Sequence, residues 1–219
     1  MTALAHERPE TMPDTGIEHA VNDADASELD KTLWQAWKAM ELPEGYHAEI
    51  IEGAIDVSPT GRVTHAQAAN RVRRALDRYL AGGDHAAHQD TNVIHRLKSW
   101  IPDAFVGPED LELYADEDGL GVKAEAVSLV VEVVSPGKHN QDRDRTRKRR
   151  EYARAGIAVY VLIDDYDDGG TVTVLSDPRR DRADWAVVHR APYGSEVTVP
   201  EGPAKGFVID RAITGPRRT

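Results

Sequence analysis

Two acids and one lysine are the residues of this chain best suited to chemistry. Glu132 lies inside a run, 127–134, that is otherwise apolar except for Ser128. Such a run is typical of a strand covered on both faces, where an ionised carboxylate is costly to bury without a metal or a basic group. Asp103 lies in a second apolar stretch, and Lys148 follows the Glu132 strand in the sequence. Two carboxylates and a lysine are suited to metal-dependent hydrolysis of a phosphodiester.

A βαβ unit is predicted to carry Glu132 and Lys148. Residues 127–134 are predicted to form a strand, residues 141–155 a helix, and residues 158–163 the next strand. Because a helix connects them, the two strands should be parallel, with a right-handed crossover. The strand that contains Asp103 is expected to pair beside the first of them.

Helical periodicity places Lys148 on the side of this helix that faces the sheet. At about 100° per residue, the residues that share its side are Gln141, Asp144, Arg145, Tyr152 and Ala155. Tyr152 and Ala155 are the apolar candidates for packing on the sheet, so Lys148 belongs to the inward stripe. Two simpler interpretations stay open. The basic run could be a solvated helix face, and Glu132 could be a structural partner of Arg145 or Lys148.

The charge of the chain is distributed unevenly. The formal net charge is −11, with −5 in residues 1–26, −6 in residues 108–125 and +5 in residues 138–154. A dense basic segment can engage a phosphate backbone locally although the whole chain is acidic. The candidate nucleic-acid-binding residues of that segment are Lys138, Arg143, Arg145 and Arg147.

Composition also bears on the cellular setting. The chain has no cysteine, which excludes disulfides and thiolate metal sites and fits a reducing cytoplasm. Its apolar runs are all shorter than the roughly 20 residues of a membrane helix. The acidic N-terminus lacks the apolar core of a secretory signal. We therefore expect a cytoplasmic protein without a membrane partner.

The chain is predicted to divide into an arm, one α/β domain and a tail. Residues 1–26 should be a disordered acidic arm, residues 27–212 the domain, and residues 213–219 a flexible tail. The other predicted elements are a helix from Ser27 to about Met40, a hairpin of strands 47–51 and 54–57, a helix over 64–80, strands over 91–97 and 100–106, a loop with a short helical turn over 108–125, and strand-like segments near 171–175, 184–189 and 195–199.

Four separated motifs resemble the Uma-type restriction-endonuclease-like family. In chain order they are Pro102-Asp103, Val131-Glu132-Val133-Val134-Ser135-Pro136, Lys148-Arg149-Arg150-Glu151-Tyr152 with Gly156, and Tyr160-Val161-Leu162-Ile163-Asp164. An earlier segment, Tyr46 to Gly53 with Ser58-Pro59 and His65, is similar to the opening hairpin and helix of that family. The resemblance spans roughly residues 30–210.

The resemblance implies a fold, a cofactor and a site. The family belongs to the PD-(D/E)xK nuclease superfamily, which implies an α/β fold: a mixed β-sheet flanked by helices, here with extra antiparallel strands at the C-terminus. It also implies Mg²⁺ (or Mn²⁺) held by Asp103 and Glu132, with Glu49 as a third candidate carboxylate. The superfamily usually places its lysine two residues after the acid, where this chain has Val134. Lys148 on the following helix fits as the replacement.

The combined prediction is a Mg²⁺-dependent endonuclease that acts on DNA. Its predicted catalytic residues are Glu49, Asp103, Glu132 and Lys148. A homodimer is compatible with this function, because nucleases that cut both strands often act as dimers. Two alternatives stay open: a catalytically inactive protein of the same fold that binds nucleic acid or a protein partner, and an enzyme acting on a small phosphorylated molecule.

Overall fold

A computed structural model describes residues 27–217. The predicted acidic arm and the last two residues lie outside the described residues. The strands are β1 (Tyr46–Ile51), β2 (Ala54–Pro59), β3 (His85–His88), β4 (Asn92–His95), β5 (Lys98–Trp100), β6 (Ala104–Pro108), β7 (Gly121–Lys123), β8 (Leu129–Val133), β9 (Val159–Asp164), β10 (Thr171–Arg179), β11 (Asp184–Pro192), β12 (Val197–Thr198) and β13 (Val208–Ile209). The α-helices are α1 (Glu28–Lys38), α2 (Val63–Leu80), α3 (Lys138–Asp142), α4 (Arg149–Ala155) and α5 (Arg211–Thr214), and a π-helical segment, Arg143–Lys148, joins α3 to α4.

The centre of the protein is a six-stranded mixed sheet with the order β11-β10-β9-β8-β6-β3. β8 and β9 pair in parallel on either side of the helical connection, as the βαβ prediction requires. The other four pairs are antiparallel. The predicted fold class is confirmed, including the antiparallel strands that extend the sheet toward the C-terminus.

Strand β8 divides its side chains between two cores, because successive residues of a strand point to opposite faces. Val131 and Val133 pack in one apolar cluster with Leu76 of α2. Val130 packs in the other cluster with Tyr152 of α4. Glu132 has the parity of Val130 and therefore lies on the face that α4 covers.

A smaller five-stranded sheet, with the order β2-β1-β5-β4-β7, lies beside the central one. Its β1–β2 hairpin turns at Glu52 and Gly53, which have φ values of 48° and 75°, the left-handed conformation that a two-residue hairpin turn requires. Ser27 caps α1 by accepting from the Asp30 amide, and Trp37 of α1 donates to the Ala48 carbonyl of β1 at 2.8 Å. This hairpin brings Glu49 toward the central sheet.

Several predicted boundaries in the middle of the chain are wrong. The strand predicted over 91–97 is interrupted, because Arg96 adopts a φ of 57° and reverses the chain between β4 and β5. Strand β3 is absent from the sequence prediction. The acidic stretch predicted as a loop contains β7, which pairs in parallel with β4.

The predicted start of the flexible tail is also too early. Ile213 and Thr214 belong to α5 and are buried, with 4% and 5% exposure. The folded domain therefore continues beyond residue 212. Within residues 27–217, no helix is both long enough and apolar enough to cross a bilayer.

Candidate active site

The two predicted acids lie opposite each other, Asp103 immediately before β6 and Glu132 on the neighbouring β8. The antiparallel register of β6 and β8 pairs Ala104 with Val131, so Asp103 lies one step further, opposite Glu132. Cross-strand neighbours point to the same face of a sheet. Asp103 is fixed in this position because its Oδ2 accepts a hydrogen bond from the Val133 amide at 2.7 Å.

Lys148 reaches the same face from the helix that follows β8. Its Nζ lies 2.9 Å from Oε1 of Glu132 and 2.8 Å from Oε1 of Glu49. The side chain is almost completely buried, and the Tyr152 hydroxyl donates to the same Glu132 oxygen. The helix therefore brings the Lys148 ammonium to Glu132. The residue two positions after Glu132, where the resemblance would place a lysine, is the buried Val134.

Glu49 comes from the smaller sheet. Its Oε1 accepts a hydrogen bond from the Ile101 amide at 2.7 Å, in the segment between β5 and β6. Lys148 thus joins one carboxylate from the hairpin to one from the central sheet. The structure brings together all four of the residues predicted to be catalytic, Glu49, Asp103, Glu132 and Lys148.

Burial and neighbouring charges control ionisation in this cluster. Burial raises the pKa of Glu132 to about 8, with Lys148 opposing the shift and Asp103 adding to it. Burial works against the charge of Lys148 too, but Glu132 and Glu49 outweigh it and raise the pKa of Lys148. Lys148 is therefore an ammonium at neutral pH.

The cluster contains more acids than bases. Four acids act on one another here, Glu49, Asp103, Glu132 and Asp144, and the nearby bases are Lys148, Arg143 and, when protonated, His65. Carboxylates that lie close together ionise together only when a cation compensates them. The residual negative charge therefore favours an additional cation.

The oxygen donors suit a hard divalent cation. Glu132 uses Oε1 for Lys148 and Tyr152, and no residue of the described chain donates to its Oε2. Mg²⁺ is often bound by one or two carboxylates together with water and substrate phosphates, and Mn²⁺ accepts similar ligands. Within residues 27–217, no three His, Cys, Asp or Glu residues form a metal-binding group. The carboxylate oxygens left over here are a partial ligand set, which water or a substrate phosphate would have to complete.

Arg143, which was predicted to bind nucleic acid, lies inside the cluster and lines the cleft. An ideal helix would place it about 140° away from Lys148. The π-helical turn has i→i+5 hydrogen bonds, so residues five apart lie on nearly the same side, and Arg143 is only 8% exposed. Its Nε donates to Asp144 Oδ1 at 2.8 Å. Asp144 Oδ2 is buried without a hydrogen-bond partner among the described residues.

Of the other residues predicted to contact nucleic acid, two are paired with acids inside the protein and one is exposed. Arg145 forms two hydrogen bonds with the buried Asp164, at 2.6 and 3.0 Å. Arg147 pairs with the buried Asp56 at 2.9 Å. Both guanidinium groups compensate internal acids, and Arg145 lies on the inward side of its helix, as helical periodicity predicts. Their contact with nucleic acid stays a prediction. Lys138 is exposed at the beginning of α3.

His65 joins the site from the first turn of α2. Its Nε2 lies 3.1 Å from Oδ2 of Asp103. Burial lowers the pKa of His65, but the hydrogen bond and charge of Asp103 outweigh burial and raise it. In the sequence, only the family motif indicated this residue, because a single histidine at a helix start has no spacing signal.

A cleft of about 410 Å³ opens onto the cluster. It lies between the β1–β2 hairpin, the first half of α2 and the ends of β6 and β8. Glu49, Asp103, Glu132, Arg143 and Lys148 all line it. A substrate in the cleft would therefore meet these three carboxylates and two basic groups.

The mixed sheet and this cluster define an α/β fold of the restriction-endonuclease-like class. The chain matches the Uma2 family, described as "Putative restriction endonuclease", over residues 34–212, and it belongs to that family. A solved structure with a similar fold is that of "a putative nuclease belonging to DUF820 from Anabaena variabilis ATCC 29413". That similarity has a TM-score of 0.57 at 18% identity and covers 76% of this chain and 88% of the other. No curated protein sequence matches this chain. The predicted family resemblance is confirmed.

Proposed function

We propose that this protein is a Mg²⁺-dependent or Mn²⁺-dependent endonuclease that hydrolyses DNA phosphodiester bonds in the cleft. The observation that carries the proposal is the placement of Asp103 opposite Glu132, with Lys148 in contact with Glu132 at 2.9 Å. Membership of the Uma2 family supports the nuclease class. The cleft that opens onto these groups supports a substrate larger than a single small ion.

Asp103 and Glu132 are the residues that would hold the divalent cation. Asp103 is held by the Val133 amide and His65 through one oxygen, and Glu132 by Lys148 and Tyr152 through one oxygen. Each carboxylate is therefore oriented by protein donors and keeps its second oxygen for another ligand. A bound divalent ion supplies Lewis acidity toward a phosphoryl oxygen and makes a water molecule more acidic.

Lys148 and Arg143 would act on the substrate phosphate. The Lys148 ammonium is preorganised by two carboxylates and can offset negative charge as it develops on the phosphate. The Nε of Arg143 is held by Asp144, and no group of the described chain accepts from its terminal nitrogens. A guanidinium held in this way can bind a phosphate through two hydrogen bonds.

Nicking of supercoiled plasmid tests the proposal. The wild-type protein should nick in Mg²⁺ or Mn²⁺ and not in chelator, and Asp103→Asn should abolish nicking. Asparagine can still accept from the Val133 amide, so this change removes the charge with little disturbance of the fold. Asp142→Asn is the matched control, because Asp142 is exposed on α3, and it should nick at the wild-type rate.

Two results would contradict the proposal. One is equal nicking by Asp103→Asn and the wild type. The other is DNA binding without nicking in either metal, which would favour the catalytically inactive alternative.

A further inference from the structure

Three arginines line up along the exposed side of α2, counting Arg62 at its N-cap. Arg62, Ala66, Asn70, Arg74 and Arg78 are spaced four residues apart and are all exposed. Residues at this spacing form a continuous ridge on a helix surface. We call these five residues the arginine ridge.

The arginines of this ridge are available for binding. In the part of the chain that the structure describes, the side chains of Arg62, Arg74 and Arg78 have no hydrogen bond or ion pair. The arginines of the 138–154 segment differ, because Arg145 and Arg147 are paired with buried acids. Helix α2 therefore offers guanidinium groups that no internal acid occupies, in addition to the basic segment predicted over residues 138–154.

The arginine ridge begins at the catalytic cleft. Arg62 and Asn70 line the cleft that contains Asp103 and Glu132. Arg74 and Arg78 line a second groove of about 330 Å³ between α2 and the C-terminal segment. The ridge therefore connects the catalytic cleft to a second depression on the surface.

The length and charge of the ridge suit a phosphodiester backbone. Its 16-residue span corresponds to about 24 Å along the helix, which is the length of about seven phosphates along one strand of a duplex. Residues 62–80 contain five arginines and one acid, in a chain whose formal net charge is −11. An anion approaching the cleft would therefore be attracted to this helix.

We propose that the arginine ridge binds the DNA backbone that extends out of the cleft. This inference rests on the proposed function, because it takes DNA as the occupant of the cleft. The contacts are to phosphates, so they would contribute affinity and salt dependence without sequence preference.

A binding measurement tests the arginine ridge without any cleavage. The probe is a labelled 20-base-pair duplex, and its affinity is measured by fluorescence anisotropy between about 50 and 200 mM salt without divalent metal. The Arg74→Gln/Arg78→Gln variant should bind more weakly than the wild type. Its slope of log affinity against log salt should be smaller by about 1.8, or about 0.9 for each lost phosphate contact. The matched control is Arg179→Gln/Arg182→Gln, which should retain the wild-type slope. These two exposed arginines lie at the last residue of β10 and in the short 3-10 turn that follows it.

A small phosphodiester separates failure of the ridge from failure of the active site. The Arg74→Gln/Arg78→Gln variant should hydrolyse bis(p-nitrophenyl) phosphate at the wild-type rate, because this substrate does not extend beyond the cleft, while its plasmid nicking at moderate salt should fall. An unchanged salt slope in this variant would overturn the ridge proposal, as would a wild-type protein that does not bind the duplex. Ridge-dependent duplex binding without hydrolysis of either substrate would uphold the ridge and overturn the proposed catalysis.

Discussion

The two faces of the central sheet differ in what they bury. On the face covered by α2, strand β8 contributes Val131 and Val133 to an apolar cluster with Leu76. On the face covered by α4, the same strand contributes Glu132, which meets Lys148 and Glu49. Neighbouring residues of β8 thus point to different surroundings: Val131 and Val133 to an apolar core, and Glu132 to the charged cluster. Apolar burial can stabilise the fold on one side, which leaves the other side able to retain charges that are costly to bury.

Removing the ammonium should produce the largest effect. Lys148→Met keeps the length of the side chain but leaves Glu49 and Glu132 buried without their shared cation. Breaking a buried ion pair from one side costs about 3–5 kcal/mol, so the urea midpoint should fall steeply. Adding Glu132→Gln to this variant should recover part of the loss. An unchanged midpoint in Lys148→Met would show that the carboxylates do not depend on this lysine.

A truncation on the apolar face should be nearly as destabilising but should leave the site intact. Leu76 is fully buried in the cluster with Val131. Leu76→Ala should reduce the free energy of unfolding by about 3 kcal/mol, since it removes apolar contacts and leaves a cavity. Calorimetry below the melting temperature should show unchanged Mg²⁺ affinity. A loss of Mg²⁺ binding would show that the two faces are coupled.

The charged face should give stability a characteristic pH dependence. Burial raises the pKa of Glu132 from 4.5 to about 8, so between these values the unfolded chain releases a proton that the folded protein keeps. Stability from this group is therefore fully present below pH 4.5 and declines as the pH rises toward 8. Glu132→Gln should show a flatter decline of melting temperature over this range in metal-free buffer. Parallel curves for the two proteins would contradict the assignment.

Breaking the exposed ion pair between Arg149 of α4 and Asp184 of β11 should have the smallest effect on stability. Arg149 lies 2.9 Å from Asp184, and the two side chains are 34% and 59% exposed. Exposed pairs contribute about 1 kcal/mol or less. Arg149→Ala should therefore change the urea midpoint slightly and leave plasmid nicking at the wild-type rate. A large loss of nicking would extend the functional surface to this side of the helix.

The sequence predicted the parts of the site that local patterns encode. Glu132 was identifiable because an acid is rare in an apolar strand, and Lys148 because Tyr152 and Ala155 defined the inward stripe of its helix. The parallel pairing of β8 and β9 followed from the length of the connection between them.

Other features depended on information that local patterns lack. The inward position of Arg143 comes from the π-helical turn, which a constant 100° rotation does not reproduce. The pair of Arg147 with Asp56 joins residues 91 positions apart, so no local spacing indicated it. The turn at Arg96 requires a left-handed conformation in a residue type that seldom signals a turn.

Calorimetric titration with Mg²⁺ or Mn²⁺ is the most direct test that the charged face is a cation site. The wild-type protein should bind the metal, and Asp103→Asn and Glu132→Gln should each lose most of the binding while remaining folded. Arg149→Ala should bind like the wild type. Absence of metal binding in the wild type, or equal binding by all four proteins, would contradict the assignment of Asp103 and Glu132 as the metal-binding carboxylates.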